Sequence, residues 1–291
     1  MHTEVFGPED GYPVVLAHGY LCRIDFWANQ IDALANDCRV IAFDHRGHGR
    51  SGLPARGGFT AERLSEDLAA VLRAAIRPGE RALIAGHSMG GIAIQAWAHR
   101  NPGDVGRFAD AIALINSSPG DFRTGAAAIL AGRVLPERLS APLDRVVEWA
   151  ARVFGGIPVH PRLPGRAALM SPFAIGSGAR PAARALIQEQ LLTTPPASRG
   201  QFMYMQLALS DEHFDRSGLT VPTLVIGSTD DQLVGFFASQ RLARYLSNNA
   251  GLVEIPGGHS GPLEQPDLVT AELRTLIGLG RSANRPTAST S

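Results

Sequence analysis

The chain has 291 residues, 45% hydrophobic and 19% charged, with a formal net charge of zero. Such a composition suits a globular protein with a substantial core, and the neutral balance gives no electrostatic reason to bind nucleic acid or an acidic membrane. The 27 basic side chains are all arginine, so there is no lysine for Schiff-base chemistry, pyridoxal phosphate anchoring or a G-x-x-x-x-G-K-[ST] phosphate loop.

Residues 1–8 lack a basic region followed by an apolar one, and no apolar run approaches the ~20 residues of a membrane-spanning helix. The expectation is a cytoplasmic protein without a transmembrane segment. Its cysteines, Cys22 and Cys38, belong to no metal-ligand cluster and are expected as free thiols.

Short apolar runs alternate with helical patterns along the first part of the chain. Residues 14–17 predict a buried strand ending at His18-Gly19, and residues 39–43 another, ending at Asp44. Between them, Phe26, Ile31 and Leu34 have helical spacing. Residues 60–76 predict an amphipathic helix with Leu64, Leu68, Val71, Leu72 and Ala75 on one face. Residues 83–85 form the next strand candidate, residues 91–100 a helix, and residues 111–115 a further strand. Strands that are apolar throughout and separated by helices predict a mostly parallel sheet covered on both faces.

The rhythm breaks after Ile115. Residues 119–215 show no comparable strand, only helical patterns over 141–154, 180–192 and 199–209. Strand patterns then return at 223–226 and 251–255, with helices over 236–246 and 266–276. The organisation expected is one α/β domain (1–118 and 216–280) interrupted by a helical cap (119–215). A polar tail over 281–291 is expected to be disordered.

The pentapeptide Gly86-His87-Ser88-Met89-Gly90 follows one strand and precedes a helix, the setting in which G-x-S-x-G lifts a serine on a strained turn. A serine nucleophile needs a base, an acid that orients the base, and donors for the oxyanion. His259, between glycines just past a strand, is the candidate base. Asp230 and Asp231 both follow the 223–226 strand; the distance from the strand end favours Asp230, and a one-residue shift in frame would select Asp231. Met89 N–H is one candidate oxyanion donor and Tyr20 N–H the other, with Leu21 as its rival. His87, beside the nucleophile, is expected to point elsewhere.

The order Ser88, Asp230, His259 resembles the α/β-hydrolase superfamily over roughly residues 12–278. So do His18-Gly19-Tyr20, the 43–51 segment Phe-Asp-His-Arg-Gly-His-Gly-Arg-Ser, Gly86-His87-Ser88-Met89-Gly90-Gly91 and Gly257-Gly258-His259. The resemblance implies a serine hydrolase of the carboxylesterase or lipase type, acting on small-molecule esters through an acyl-enzyme. No cofactor or metal is implied. It also implies a chiefly structural role for 44–51. Family members often carry proline shortly after the acid, where this chain has Asp231-Gln232-Leu233-Val234-Gly235. Thioesterase, lactonase, perhydrolase and acyltransferase are the alternative chemistries, and a small-molecule receptor built on the same fold is an alternative of another class. The Met- and aromatic-rich 202–209 segment is expected as core packing or as a wall against an acyl chain.

Overall fold

A computed structural model describes residues 1–120 and 174–283. Among these, seven strands form one sheet in the order β1-β3-β2-β4-β5-β6-β7. They are β1 (Thr3–Phe6), β2 (Tyr12–Ala17), β3 (Cys38–Phe43), β4 (Ala82–His87), β5 (Ala109–Ile115), β6 (Thr223–Ser228) and β7 (Asn249–Ile255). β1 pairs antiparallel with β3, and every other pairing is parallel. β1 is not among the strands expected from the apolar runs. Its four residues alternate exposed and half-buried positions, so this short edge strand carries no long apolar run.

The inner strands read as apolar throughout because both faces are covered. One face sets Val14, Leu16, Val40, Leu83 and Ala113 against helices α1 (Ala28–Leu34) and the C-terminal α9 (Pro266–Ala283). The opposite face sets Val15, Ile41, Ile84, Ile112 and Val225 against α2 (Ala61–Ala75), α3 (Met89–Arg100), α4 (Pro102–Phe108) and α7 (Phe236–Arg244). The alternation follows the two-residue repeat of a strand. Burying each such valine, leucine or isoleucine side chain is worth ~1.5–3 kcal/mol. Among the described residues, no helix is long and apolar enough to cross a membrane.

The chain leaves the sheet after β5 and returns before β6. The described part of this excursion contains α5 (Pro181–Thr193) and α6 (Pro196–Ala208); the predicted 141–154 helix lies outside the described residues. A buried arginine ties its two ends together. Arg216 donates from Nε to Gln95 Oε1 of α3 (2.8 Å), from Nη1 to the carbonyls of Asp211 (2.9 Å) and Phe214 (3.1 Å), and from Nη2 to that of Pro119. Gln95 Nε2 donates in turn to the Ser118 carbonyl at 2.9 Å. One guanidinium thereby satisfies carbonyls at both the exit and the return.

The C-terminal helix continues past its expected end near residue 276. Ile277 is buried in the core, and the Arg281 guanidinium lies over the Tyr12 ring, 5.6 Å from its centroid. Residues 281–283 therefore belong to α9; the rest of the expected tail, 284–291, lies outside the described residues.

The 44–51 segment braces the end of β2 through buried imidazoles. His18 Nε2 accepts the His45 N–H at 3.0 Å while its Nδ1–H donates to the Gly19 carbonyl at 2.7 Å. Both nitrogens are used by the neutral ring, so a second proton would face a donor. Burial pushes His45 and His48 down to about 3, helped by the neighbouring imidazoles, and holds His18 and His87 well below the ordinary histidine range. Unfolded, these histidines take up protons near pH 6.5; folded, they do not until far lower pH. Stability is therefore full above about pH 6.5 and falls as pH drops below it, by up to ~1.4 kcal/mol per histidine per pH unit. Unfolding free energy measured at pH 7.5 and 5.5 should fall accordingly, with net proton uptake on unfolding. Equal stability at the two pH values would contradict neutral burial.

Candidate active site

Ser88 occupies the turn from β4 into α3 with φ 51° and ψ −115°, a region costly for a residue with a side chain. Its N–H donates to the Ile115 carbonyl at 2.9 Å. Its own carbonyl accepts from Gly91 N–H (2.9 Å), Ile92 N–H (3.2 Å) and the Ser117 hydroxyl (3.0 Å). Close packing adds a steric lock, since a Cβ on Gly90 would collide with the Ala17 carbonyl oxygen. Only glycine lets α3 begin this near the end of β2.

His259 lies in the loop after β7. Its Nε2 is 2.9 Å from Ser88 Oγ and its Nδ1 is 2.8 Å from Asp231 Oδ2. A carboxylate accepts only, so Nδ1 carries the proton and Nε2 is left to accept from the serine hydroxyl. The three side chains are nearly closed to solvent: Ser88 is 3% exposed, Asp231 5% and His259 7%.

The structure replaces the favoured Asp230 with Asp231 as the carboxylate on His259. Asp230 is exposed, and among the described residues its carboxylate meets the Thr229 hydroxyl alone, at 3.3 Å. β6 runs to Ser228, two residues beyond the predicted strand end at Ile226, which moves the frame of the following turn. Asp231 Oδ1 accepts from Leu233 N–H (2.9 Å) and Val234 N–H (2.8 Å), turning its other oxygen inward. Oδ2 also accepts from Asn116 Nδ2 at 3.0 Å, whose second partner is Ser228 Oγ at 2.9 Å.

Three residues that sequence reasoning did not place in the site support it. Asn116, at φ 45°, holds the acid as just described. Glu264, the last residue of the short helix α8 (Gly261–Glu264), shapes the base loop by accepting from Gly258 N–H (2.9 Å) and Ser260 N–H (3.1 Å). His87 points away from Ser88, as expected, but stacks on Phe26 and donates from Nε2 to the His259 carbonyl at 2.8 Å. A polar residue four positions after Ser260 was the sole signal for Glu264. Asn116 and His87 act across the fold and left no local pattern.

The loop after β2 passes directly against the serine: a Cβ on Gly19 would lie 3.2 Å from Ser88 Cβ and 2.5 Å from His87 Nδ1. Among the described residues, neither Tyr20 N–H nor Met89 N–H is hydrogen-bonded. The rival donor is engaged, because Leu21 N–H donates to His48 Nε2 at 3.2 Å. Met89 is the first residue of α3, where backbone donors are unpaired and the helix dipole favours negative charge. The 202–209 segment falls in α6 as far as Ala208; Phe202 and Met205 of that helix, and Leu209 just beyond it, pack with Met89 and Ile92 of α3.

Such a set can accept a proton from a serine hydroxyl, stabilise the resulting imidazolium, and offer backbone donors to a negative oxygen. The chain is 29% identical over 274 residues to a Rhizobium rhizogenes protein provisionally named carbamate hydrolase RutD, covering 92% of this chain and 94% of that one. It is 29% identical over 290 residues to a non-heme chloroperoxidase of Streptomyces lividans, with 94% and 96% covered. A thermophilic esterase from Thermogutta terrifontis superposes with a TM-score of 0.73 at 23% identity, over 96% of this chain and 93% of that one. The model of the alpha/beta hydrolase fold matches residues 12–266, and with its mostly parallel sheet this chain belongs to that family of hydrolases.

Proposed function

We propose that the protein is a serine hydrolase that cleaves carboxylic ester bonds of small molecules. The observation that carries this reading is the relay Asp231–His259–Ser88, with contacts of 2.8 and 2.9 Å at opposite nitrogens of one imidazole. In the proposed cycle His259 takes the Ser88 proton as Oγ attacks the ester carbonyl. Tyr20 and Met89 N–H hold the oxyanion, and His259 returns the proton to the leaving alcohol. His259 then draws a proton from water, whose attack releases the acid and regenerates the serine. Asp231 fixes the tautomer and balances the imidazolium without being protonated itself.

The described part of the excursion between β5 and β6, residues 174–215, is proposed to belong to a cap over this site, with α6 bordering the substrate space; the rest of the expected 119–215 cap lies largely outside the described residues. A second reading has hydrogen peroxide replace water in the last step and release a peracid; the likeness to the Streptomyces lividans chloroperoxidase favours including it. Both readings share the acyl-enzyme.

A fluorophosphonate probe should label the wild type, and Ser88→Ala should lose both labelling and release of p-nitrophenol from short acyl esters. No turnover across esters, thioesters, lactones and carbamates would overturn the ester reading. The two aspartates give a sharper comparison: Asp231→Asn should lower kcat by ~10^3- to 10^4-fold, as expected when the imidazole tautomer is lost, while Asp230→Asn stays within about twofold of wild type. Equal losses would remove Asp231 from the relay.

A further inference from the structure

We infer that His48 is a positioning residue for the oxyanion loop, fixing the backbone around Leu21 so that Tyr20 N–H faces the developing oxyanion. The inference rests on the serine-hydrolase reading above and adds a residue that the relay itself does not use.

Residues 19–22 form a tight turn closed by Cys22 N–H donating to the Gly19 carbonyl at 3.2 Å. Leu21, its third residue, has φ 63°. That position ordinarily takes glycine or asparagine, and a leucine there is held against a cost of ~1 kcal/mol or more. The surroundings supply the restraint. His48 Nε2 accepts the Leu21 N–H at 3.2 Å, and the Thr194 hydroxyl donates to the Leu21 carbonyl at 3.3 Å. The Thr194 contact is weak, because the same hydroxyl reaches the Gln190 carbonyl at 2.8 Å. The peptide joining Tyr20 to Leu21 is held at its N–H by His48 and at its carbonyl by a long contact from the Cys22 thiol at 3.5 Å, of which the His48 bond is the stronger restraint.

The ring of His48 is itself immobilised. A backbone N–H can only donate, so Nε2 is the bare nitrogen and Nδ1 carries the proton, which points to the Arg46 carbonyl at 3.1 Å. The ring is wholly buried. It packs against Phe202 (centroids 5.2 Å apart), against His18 (5.5 Å) and against Tyr20 (6.3 Å). The peptide carrying Tyr20 N–H is held at its Gly19 carbonyl by His18 Nδ1–H at 2.7 Å and Cys22 N–H at 3.2 Å, and the Tyr20 hydroxyl donates to the Arg199 carbonyl at 2.6 Å; none of these contacts fixes the following plane, between Tyr20 and Leu21. Rotation of that plane is what the bond to His48 opposes. Without an acceptor at Nε2, relaxing Leu21 from positive φ would swing the neighbouring peptides away from Ser88, and the loss would fall on the transition state.

The test pairs His48→Phe, which keeps the ring but removes the acceptor, with His48→Gln, whose Oε1 can reach the Nε2 position. His48→Phe should lower kcat for p-nitrophenyl esters by ~10- to 100-fold, the scale of a small misplacement of a catalytic group, with KM changed less than about threefold. It should weaken a boronic acid inhibitor by the same factor as kcat, and His48→Gln should recover most of both. Wild-type kcat and boronate affinity in His48→Phe would overturn the proposal while leaving Ser88 labelling, and hence the hydrolase reading, intact. Where the phenylalanine variant fails to fold, nitrogen NMR of the wild type decides: the proposal requires a neutral His48 with the proton on Nδ1 at pH 7, and a proton on Nε2 would overturn it.

Discussion

The site depends on one strained residue. Ser88 holds φ 51° because every polar group of its backbone is committed to a neighbouring element: its N–H to the end of β5, and its carbonyl to the first turn of α3 and to Ser117. Gly90 lets that turn press against the Ala17 carbonyl at the end of β2. Three parallel strands therefore over-determine one residue, which is how a backbone conformation worth ~1–3 kcal/mol of strain persists in a folded protein. The reward is a hydroxyl raised above the sheet edge, where loops following β2, β6 and β7 all converge.

The electrostatics follow the same economy of position. Asp231 is a nearly buried carboxylate, and an unpaired one would be costly there. Four donors meet it: two backbone N–H groups on Oδ1, and Asn116 with His259 on Oδ2. In the proposed cycle a carboxylate so held would stay a fixed negative centre, with no need to reorganise as His259 gains a proton, which is what makes a preorganised charge effective. Asp230, one residue away, faces solvent and has no comparable use for its charge. Glu264 and His87 apply the same principle to the base, holding the loop and the carbonyl of His259 while leaving its imidazole to the relay.

The fold was legible because inner parallel strands must be apolar on both faces, so runs such as Val14-Val15-Leu16-Ala17 and Leu83-Ile84-Ala85 announce themselves. Ser88 and His259 were legible because glycines and a strand end are local signals. The carboxylate that meets His259 was not: choosing between Asp230 and Asp231 required knowing that β6 continues to Ser228, and a strand boundary set by pairing with β7 is not written in the strand's own residues. β1 escaped for a related reason, since an edge strand of four residues needs no apolar alternation to pair with β3. Asn116 and His48 escaped because each acts on a residue distant in sequence, Asp231 and Leu21. Such pairings follow from the crossing of loops at the sheet edge, which no periodicity encodes. The last turn of α9 likewise meets a residue near the other end of the chain, with Arg281 over the Tyr12 ring.

The central claim is that Ser88 carries the acyl group between two half-reactions. With no lysine in the chain, trypsin releases Ser88 on the peptide spanning residues 82–100. Acid quenching during turnover of a p-nitrophenyl ester, followed by mass spectrometry of that peptide, measures the claim most directly. The account predicts a transient gain of one acyl mass on Ser88 that decays as substrate is exhausted. An acyl group on another residue, or turnover with no acylated peptide at any time, would contradict it.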